Sequence, residues 1–451
     1  MIDKKSISVE MLEDFSKQYH KDPKNEAVAG AIATVGIDDS AQNPECLRAH
    51  DFFFTDECKQ GDITNQKKSG RCWIFASLNM LRGAVIDKLN VENLEFAQSY
   101  LYFYDKLEKS NSFLERVIET VDEPDDSRLF HALFDFPSVQ DGGYWHFFKS
   151  LVKKYGMVPK SAMPDTYHPT NSDPFSEQID RRIKAYAMKI RAMAKEGKEE
   201  EDLRKVKKEA LADIYNICVK VFGEPIKSFD FHYRDKDKKV HVDRNLTPMA
   251  FYEKYIGDEV LDEKITLVAD PRHKYPQGRV LESEFATSIY GVPYKALNVP
   301  MEEMVKALLK SIKAGKPTWF ACDVGKDSNR KLGILDTDLH NYEEILPPVI
   351  PFTKEDRLIC DYSNATHAMN ITGVECDADG KPLRWKVENS WGDEVGSKGI
   401  FSMSNDWFEE YAYELIVDKA FVSDEFLKGL DQDPIQFEYY DILCKMLSAT
   451  R

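Results

Sequence analysis

The hydrophobic pattern of this chain changes from a helical period near its start to a strand period near its end. After position 72, apolar residues recur at Ile74, Phe75, Leu78 and Leu81, the spacing that gives a helix one buried face. Near the C-terminal end, HAMNITGVECD, a turn and LRWKVENSW have instead the pattern of a β-hairpin. Helices that come first and strands that come last predict an α+β fold, with a helical half and a β half.

Between these two regions lies a long, charge-rich stretch. Residues 175–222 predict two helices with a break near Gly197. A short polar helix is predicted at Val9–Tyr19, ahead of a segment rich in Asp, Asn and Pro. The chain is therefore expected to comprise, in order, an N-terminal extension (1–60), the helical half (61–165), a mostly helical insertion (166–290), the β half (291–425) and a C-terminal arm (426–451).

Length and charge disfavour several classes of protein. At 451 residues the chain is long enough for two or three domain-sized units. Its formal charge of −17 disfavours binding to nucleic acid or to an anionic membrane. The sequence has no apolar run of the roughly 20 residues that cross a membrane, and its charged start lacks the apolar centre of a signal peptide. The eight cysteines are scattered without metal-ligand spacing, which indicates free thiols and a cytoplasmic location.

Cys72 opens the first periodic helix and is the candidate nucleophile. A helix N-terminus offers unpaired N–H groups and a positive dipole end, and both favour a thiolate. Gln66, six residues upstream, can place its amide N–H beside the cysteine. That amide and the Cys72 backbone N–H would then form an oxyanion hole for a tetrahedral intermediate. Taken alone, the same pattern also describes a buried structural cysteine at a helix start.

Two further motifs supply candidate partners for the cysteine. His367 opens an apolar strand, so its ring is expected at the end of a sheet, where it can meet a helix N-terminus and act as a base. In VENSWG, the amide oxygen of Asn389 can accept from the imidazole and fix its tautomer. Trp391 can shield that bond from water. Taken alone, His367 also fits a hydrogen-bonded core histidine, and Asn389 a turn residue before a core tryptophan.

The order Gln-x5-Cys-Trp, His-Ala, Asn-Ser-Trp-Gly resembles that of the papain family of cysteine peptidases. The segment QDGGYW adds a fourth match, to the Gly-Gly segment whose backbone pairs with the substrate ahead of the cut. By this resemblance Gly142 and Gly143 bind substrate, and peptide hydrolysis runs through an acyl-enzyme on Cys72. The resemblance implies a papain-like fold with the helical insertion and the N-terminal extension added to it.

The closer resemblance is to the bleomycin hydrolase and bacterial aminopeptidase C branch of that family. The stretches that carry it are NQKKSGRCWIFASLNMLR, DGGYW, LVKKYGMVPKSAMP, WFACDVGK, HAMNITGV and WKVENSWG. The branch implies a barrel-like homohexamer, assembled through the insertion, whose inner chamber admits short unfolded peptides. It also implies that the terminal carboxylate, here on Arg451, pairs with the substrate's free α-amino group, which makes the enzyme an aminopeptidase. The expected reaction uses no metal and no organic cofactor.

The C-terminal tail departs from the branch pattern and leaves a second activity open. The branch ends in an extended stretch rich in proline and small residues, whereas residues 437–451 contain neither proline nor glycine and are compatible with a helix. A displaced tail would change the cleavage register, so an endopeptidase of the same fold is the alternative. A transglutaminase or N-acetyltransferase would not be expected to combine Gln66 with Asn-Ser-Trp, and a non-enzymatic assembly or nucleic-acid-binding protein would need no triad.

Overall fold

Helices fill most of the first half of the chain, and most of the strands lie in its second half. The computed structural model describes residues 5–135, 138–283, 291–438 and 440–445. Its α-helices are α1 (Val9–Tyr19), α2 (Lys24–Val35), α3 (Ile37–Ala41), α4 (Pro44–Ala49), α5 (Cys72–Leu89), α6 (Gln98–Glu119), α7 (Arg128–Phe134), α8 (Trp145–Tyr155), α9 (Asp173–Lys195), α10 (Glu200–Phe222), α11 (Pro248–Tyr255), α12 (Asp258–Asp262), α13 (Met301–Lys313), α14 (Tyr342–Ile345), α15 (Lys354–Ile359), α16 (Asn405–Tyr411), α17 (Asp424–Leu427) and α18 (Ile442–Lys445).

The strands form one large mixed sheet and one separate hairpin. They are β1 (Asp56–Glu57), β2 (Phe229–Arg234), β3 (Val240–Leu246), β4 (Lys264–Val268), β5 (Arg279–Ser283), β6 (Tyr294–Asn298), β7 (Thr318–Cys322), β8 (Ser328–Asn329), β9 (Ile334–Leu335), β10 (His367–Cys376), β11 (Pro382–Glu388), β12 (Ile400–Ser404), β13 (Ala412–Asp418) and β14 (Ile435–Gln436). The large sheet has the order β14-β5-β6-β4-β13-β7-β10-β11-β12-β9-β8, with β1 beside β10. The predicted α+β class is confirmed.

The helix and strand boundaries follow local signals in the sequence. Helix α1 has the predicted bounds, and Ser8 caps it by accepting from the N–H of Met11. The predicted break in the charge-rich region falls between α9 and α10, where Gly197 has a φ of +77° that ends the first helix. The predicted hairpin is the antiparallel pair β10–β11.

The large sheet packs helices against both of its faces. Neighbouring strand residues point to opposite faces: Ala321 and Ala368 pack in the cluster that contains α5, whereas Phe320 and Met369 pack in the cluster that contains α13. The Nδ2 of Asn370 on β10 also donates to a backbone oxygen of α5, at 2.8 Å. Helix α5 is thus held directly over strand β10, and this contact brings the Cys72 and His367 motifs together.

The region predicted as a mostly helical insertion also contains strands. Helices α9 to α12 lie within residues 166–290, but so do the hairpin β2–β3 and the sheet strands β4 and β5. Strand β4 pairs with β13 and β6, so residues from Lys264 onward already contribute to the large sheet, ahead of the predicted boundary at 290. The sequence KITLV is a short run buried on both faces, and such a run lacks the alternation that marks a half-buried strand.

The N-terminal extension docks on the loop that follows β9. The backbone N–H of Asn43 donates to the oxygen of Leu339 at 3.0 Å, and its side chain donates to the oxygen of Asp338 at 2.9 Å. The N–H of Asn341 donates back to Ala41 at 2.7 Å. These bonds fix α4 against the large sheet.

Among the described residues, no helix combines the length and the apolar character that crossing a membrane requires.

Candidate active site

Cys72 is the first residue of α5 and is 1% exposed. Within the described part of the chain no side chain caps this helix, so its first N–H groups remain available to a ligand. The backbone N–H groups of Cys72 and Trp73 face the Cys72 sulfur, as does the N–H of Ala368 on β10. The sulfur therefore lies between the N-terminus of a helix and the start of a strand.

His367 opens β10, one residue before Ala368, and its ring is buried. Its Nε2 lies 2.9 Å from the Oδ1 of Asn389, the residue that follows β11. Because an amide oxygen can only accept, Nε2 carries the proton and Nδ1 is left to accept another one. The ring of Trp391 stacks on the imidazole at a centroid distance of 4.7 Å and covers it.

An arginine contacts the tryptophan that covers the histidine. The guanidinium carbon of Arg330 lies 4.2 Å from the centroid of the Trp391 ring, within the range of a cation–π contact. Burial lowers the pKa of His367, and the positive charge of Arg330 lowers it further. The sequence gives no signal for Arg330, because it lies outside every motif and reaches the site only through the fold.

Gln66 lies in a segment that pairs with the Asn-Ser-Trp-Gly motif. Its backbone N–H donates to the oxygen of Ser390 at 2.8 Å, and its Oε1 accepts from the Ser390 hydroxyl at 2.7 Å. One N–H of its amide donates to the oxygen of Ser69 at 2.6 Å. Since an amide nitrogen has two N–H groups, the second is left for a ligand. Ser390 thus fixes Gln66, a role that sequence reasoning missed although the residue lies inside the motif.

The Gly142–Gly143 segment is tied to the segment that carries Cys72. The indole N–H of Trp73 donates to the backbone oxygen of Asp141 at 2.8 Å, and the N–H of Gly70 donates to its carboxylate at 3.2 Å. A Cβ on Gly143 would lie 2.7 Å from the Trp73 ring, so this position requires glycine. Both glycines are buried. Asp141, inside the motif but not singled out from the sequence, is the residue that joins the two segments.

Asp141 is itself held in its ionised form by a buried network. Its carboxylate accepts from Lys106 and from the hydroxyls of Tyr102, Ser172 and Ser176. Burial alone would raise the pKa of Asp141, but the charge and hydrogen bond of Lys106 and the two closest hydroxyls keep that pKa well below its ordinary value. Through its bond with the N–H of Gly70, the same carboxylate anchors the segment ahead of Cys72.

Burial opposes a charge on either of the two reactive groups taken singly. Burial raises the pKa of the Cys72 thiol to about 11, and the negative charge of Asp141 raises it further. The N–H of Ala368 acts in the opposite direction, because it stabilises the thiolate. Burial lowers the pKa of His367 to about 4, although the hydrogen bond to Asn389 acts to raise it. Transfer of the thiol proton to the imidazole would create two opposite charges together, and their attraction offsets part of the cost of burying each one.

The C-terminal arm is described as far as residue 445, so Arg451 lies outside the described residues. The carboxylate of Asp441 accepts from Arg272 at 2.9 Å and from the hydroxyl of Tyr275 at 2.9 Å. The hydroxyl of Tyr144 donates to the backbone oxygen of Leu443 at 2.9 Å. Because Tyr144 directly follows the two glycines, the arm reaches the Gly-Gly end of the site. Within the described part of the tail, α18 covers four residues.

Comparison with known proteins identifies the family. The model of the Peptidase C1-like family matches residues 6–444. Aminopeptidase G of Lactobacillus delbrueckii subsp. lactis is 38% identical over 437 residues, 97% of this chain and 99% of that protein. Aminopeptidase C of Listeria monocytogenes serovar 1/2a (strain ATCC BAA-679 / EGD-e) is 38% identical over 436 residues, 96% of this chain and 98% of that protein. The crystal structure of PepW from Lactobacillus rhamnosis HN001 matches with a TM-score of 0.94 at 35% identity, over 97% of this chain and 98% of that one.

These matches confirm the resemblance to the aminopeptidase C branch and the papain-like fold that it implies. They extend over nearly the whole chain, so the insertion and the N-terminal extension are included in them. The chain belongs to the Peptidase C1-like family.

Proposed function

We propose that this chain is a cysteine aminopeptidase, which removes N-terminal residues from short peptides through an acyl-enzyme on Cys72. One series of contacts carries the proposal. The Cys72 sulfur faces the N–H of Ala368, the adjacent His367 is hydrogen-bonded to Asn389, and the following Ser390 holds Gln66. Family membership and the aminopeptidase names of the full-length relatives support the same activity.

The proposed reaction begins with proton transfer from the Cys72 thiol to Nδ1 of His367. The thiolate attacks the scissile carbonyl carbon, and the carbonyl oxygen becomes an oxyanion that accepts from the free N–H of Gln66 and from the Cys72 backbone N–H. The imidazolium then protonates the leaving amine as the C–N bond breaks, which leaves a thioester on Cys72. A water gives a proton to His367 and attacks the thioester, and the thiol is restored as the N-terminal residue leaves as a free acid.

Asn389 and Trp391 serve this sequence by keeping His367 in one orientation. The Oδ1 of Asn389 holds the Nε2–H tautomer, so Nδ1 accepts the proton in each half of the cycle. The stacked Trp391 ring excludes water from the hydrogen bond. In the proposal, the backbone of Gly142 and Gly143 pairs with the extended substrate, because the absence of side chains there lets another backbone approach closely.

The exopeptidase register depends on the C-terminal arm. The arm is anchored by the ion pair of Asp441 with Arg272. Two residues later, the backbone oxygen of Leu443 accepts from Tyr144, which directly follows the Gly-Gly segment. The arm is thereby directed towards the position that the N-terminus of a substrate would occupy. In the proposal, as the branch resemblance implies, the terminal carboxylate of the arm pairs with the substrate's α-ammonium group and so selects the first peptide bond.

The alternative activity is that of an endopeptidase with the same catalytic residues. It rests on the tail sequence, which ends in an arginine whose guanidinium would repel a substrate ammonium group in a partly dry site. A pair of substrates distinguishes the two: an aminoacyl-aminomethylcoumarin and its N-acetylated counterpart with the same residue before the cut. The aminopeptidase account predicts that only the free amine is cleaved efficiently. Faster cleavage of the blocked substrate would make the chain an endopeptidase.

A tail truncation tests the arm within the same assay. Removal of residues 448–451 moves the terminal carboxylate back by four residues. Cleavage of the free amine should therefore slow, and cleavage of the blocked substrate should rise. A Cys360→Ser variant is the matched control, since Cys360 is an exposed thiol outside the site. An unchanged preference for the free amine after truncation would contradict the role of the arm.

The proposal extends to the assembly and to the cellular location. We infer a cytoplasmic enzyme, supported by the free thiols of all the cysteines whose side chains the structure describes. We also infer a homohexamer with an inner chamber, as the branch resemblance implies, which would restrict substrates to short peptides. Light scattering should give a mass several times that of one chain, and a monomer at micromolar concentration would remove the chamber argument.

A further inference from the structure

Three side chains of types that can ligate a metal lie together where the N-terminal extension docks on the large sheet, outside the candidate active site. Among the described residues, Cys46, His50 and Asp336 place one ligand atom each within 4.8 Å of one another. Cys46 lies on α4, and His50 is the C-cap residue of that helix, four positions later. Asp336 follows β9 on the opposite side of the interface. The cluster thus joins two regions that are distant in sequence.

The geometry of the three ligand atoms is close to that of a tetrahedral zinc site. The Nε2 of His50 lies 2.9 Å from the Oδ2 of Asp336. Zinc bonds of about 2.0–2.3 Å at tetrahedral angles hold ligand atoms roughly 3.3–3.8 Å apart. Residues i and i+4 share a helix face, so Cys46 and His50 can bind one ion from the same side. Small side-chain shifts would therefore admit the ion.

Outer hydrogen bonds already orient two of the ligands. The Nδ1 of His50 lies 2.7 Å from the hydroxyl of Ser402, and the other carboxylate oxygen of Asp336 accepts the N–H of Asp338 at 2.8 Å. Partners of this kind are what metal-binding histidines and carboxylates have in their outer shell. Without metal, Nε2 of His50 donates to the Asp336 carboxylate, which can only accept, so binding requires the other tautomer. The Ser402 hydroxyl can then accept from Nδ1–H, which leaves Nε2 free for the ion.

We propose that Cys46, His50 and Asp336 form a zinc(II) site that fastens the N-terminal extension to the large sheet. Thiolate, imidazole and carboxylate are zinc ligands, and the two negative charges neutralise the dication in a site that is nearly closed. The His50 side chain is 1% exposed and that of Asp336 is 15% exposed, so water can enter beside the carboxylate and take the fourth position. Binding exchanges one proton, from the Cys46 thiol, for the zinc ion.

The sequence gives no signal of this site, because its three ligands are not close together in the chain. The cysteine spacing predicts no metal site because the third ligand comes from a loop that follows β9. The site lies apart from the catalytic residues, so its proposed role is independent of the peptidase reaction.

Cobalt(II) is the probe that tests the site, in the full-length chain with Cys72→Ala. The Cys72→Ala substitution is used because the Cys72 thiol and the His367 imidazole could otherwise bind the probe metal themselves. After chelator treatment, one equivalent of cobalt should bind per chain and give a thiolate-to-cobalt charge-transfer band together with the visible bands of a tetrahedral ion. Added Cys46→Ser or Asp336→Asn should weaken binding by more than about tenfold, and Cys46→Ser should abolish the charge-transfer band.

A control and a second readout keep the outcome unambiguous. Cys58→Ser in the same background removes a buried thiol outside the cluster and should leave the cobalt spectrum unchanged. Zinc should raise Tm and slow proteolysis of residues 36–52 in the parent chain, but not in a folded Asp336→Asn or His50→Gln chain. The absence of a thiolate band in the parent chain would overturn the proposal. So would a band that persists in the Asp336→Asn and His50→Gln chains at unchanged affinity.

Discussion

Arg82 and Glu388 form an ion pair with both side chains buried, Nη2 to Oε1 at 2.8 Å. Arg82 belongs to α5, the helix that begins at Cys72, and Glu388 ends β11 directly before Asn389. The second carboxylate oxygen accepts from Gln60 at 3.0 Å. The pair therefore fixes α5, which begins at the proposed nucleophile Cys72, relative to the end of β11, which Asn389 directly follows.

Removal of one partner should destabilise the fold strongly. Arg82→Met leaves the Glu388 carboxylate buried without its counter-charge, and we expect a loss of about 3–5 kcal/mol in the free energy of unfolding. Lys17→Met is the control, because Lys17 and Asp14 form an exposed pair worth less than about 1 kcal/mol. Urea unfolding of both variants measures the difference. Equal losses in the two would show that Arg82–Glu388 has no special structural role.

Gln66 should affect the chemical step and not substrate affinity. If its free N–H stabilises the oxyanion, Gln66→Ala should lower kcat by about 10²–10³ with little change in KM. Ser390→Ala should cause a smaller fall, since it removes only the hydroxyl that positions the Gln66 amide. Gln18→Ala, on the exposed face of α1, is the control. A rise in KM at constant kcat would assign Gln66 to substrate binding instead.

Arg330 should set the pH range of activity. The positive charge of Arg330 lowers the pKa of His367, the proposed base, because it disfavours a second positive charge on the imidazole. Arg330→Gln should therefore shift the acid limb of kcat/KM to higher pH. The shift should be larger at low salt, since Arg330 is exposed.

Lys331→Gln provides the matched control for Arg330, because it removes an exposed neighbouring cation that does not contribute to the lowered pKa of His367. Its profile should stay close to that of the unmodified chain. A shift of the acid limb to lower pH in Arg330→Gln would contradict the electrostatic account.

Glu414 should make the fold less stable as the pH rises. Among the described residues neither of its carboxylate oxygens has a hydrogen-bond partner, and burial raises its pKa from the ordinary 4.5 to about 8. The folded chain thus holds a proton that the unfolded chain releases above about pH 4.5, so the stabilising contribution is present below that pH and is lost as the pH rises through about 8. Glu414→Gln stays neutral and should raise Tm relative to the unmodified chain more at about pH 8 than at about pH 5. An equal effect at both pH values would contradict this assignment.

Much of the fold could be predicted because its signals are local. The helical period after Cys72 and the strand that begins at His367 are set by short-range hydrophobic patterns, and α5 and β10 begin at these residues. The family resemblance, which rests on the motifs around the same residues, is confirmed by the comparisons. By contrast, β4 lies within residues 166–290, for which the sequence predicts a mostly helical insertion, because a short apolar run does not reveal which sheet it joins.

The contacts that could not be predicted join residues far apart in the sequence. The fold brings Arg82 on α5 to Glu388 at the end of β11. It also brings Arg330, which follows β8, to Trp391, which lies beyond β11. Neither arginine lies in a pattern that distinguishes it from a surface cation. The roles proposed for the catalytic residues likewise follow from motif and geometry together, and they stay predictions that activity measurements decide.

Formation of an acyl-enzyme on Cys72 is the central claim, and intact-mass spectrometry measures it directly. An aminoacyl nitrophenyl ester, mixed with the enzyme and quenched early, should leave one acyl group per chain, located by peptide mapping on the peptide that contains Cys72. Cys72→Ala should show no acyl group and no hydrolysis, whereas Cys360→Ser should behave as the unmodified chain. An acyl group on another residue, or full hydrolytic activity in Cys72→Ala, would contradict the account.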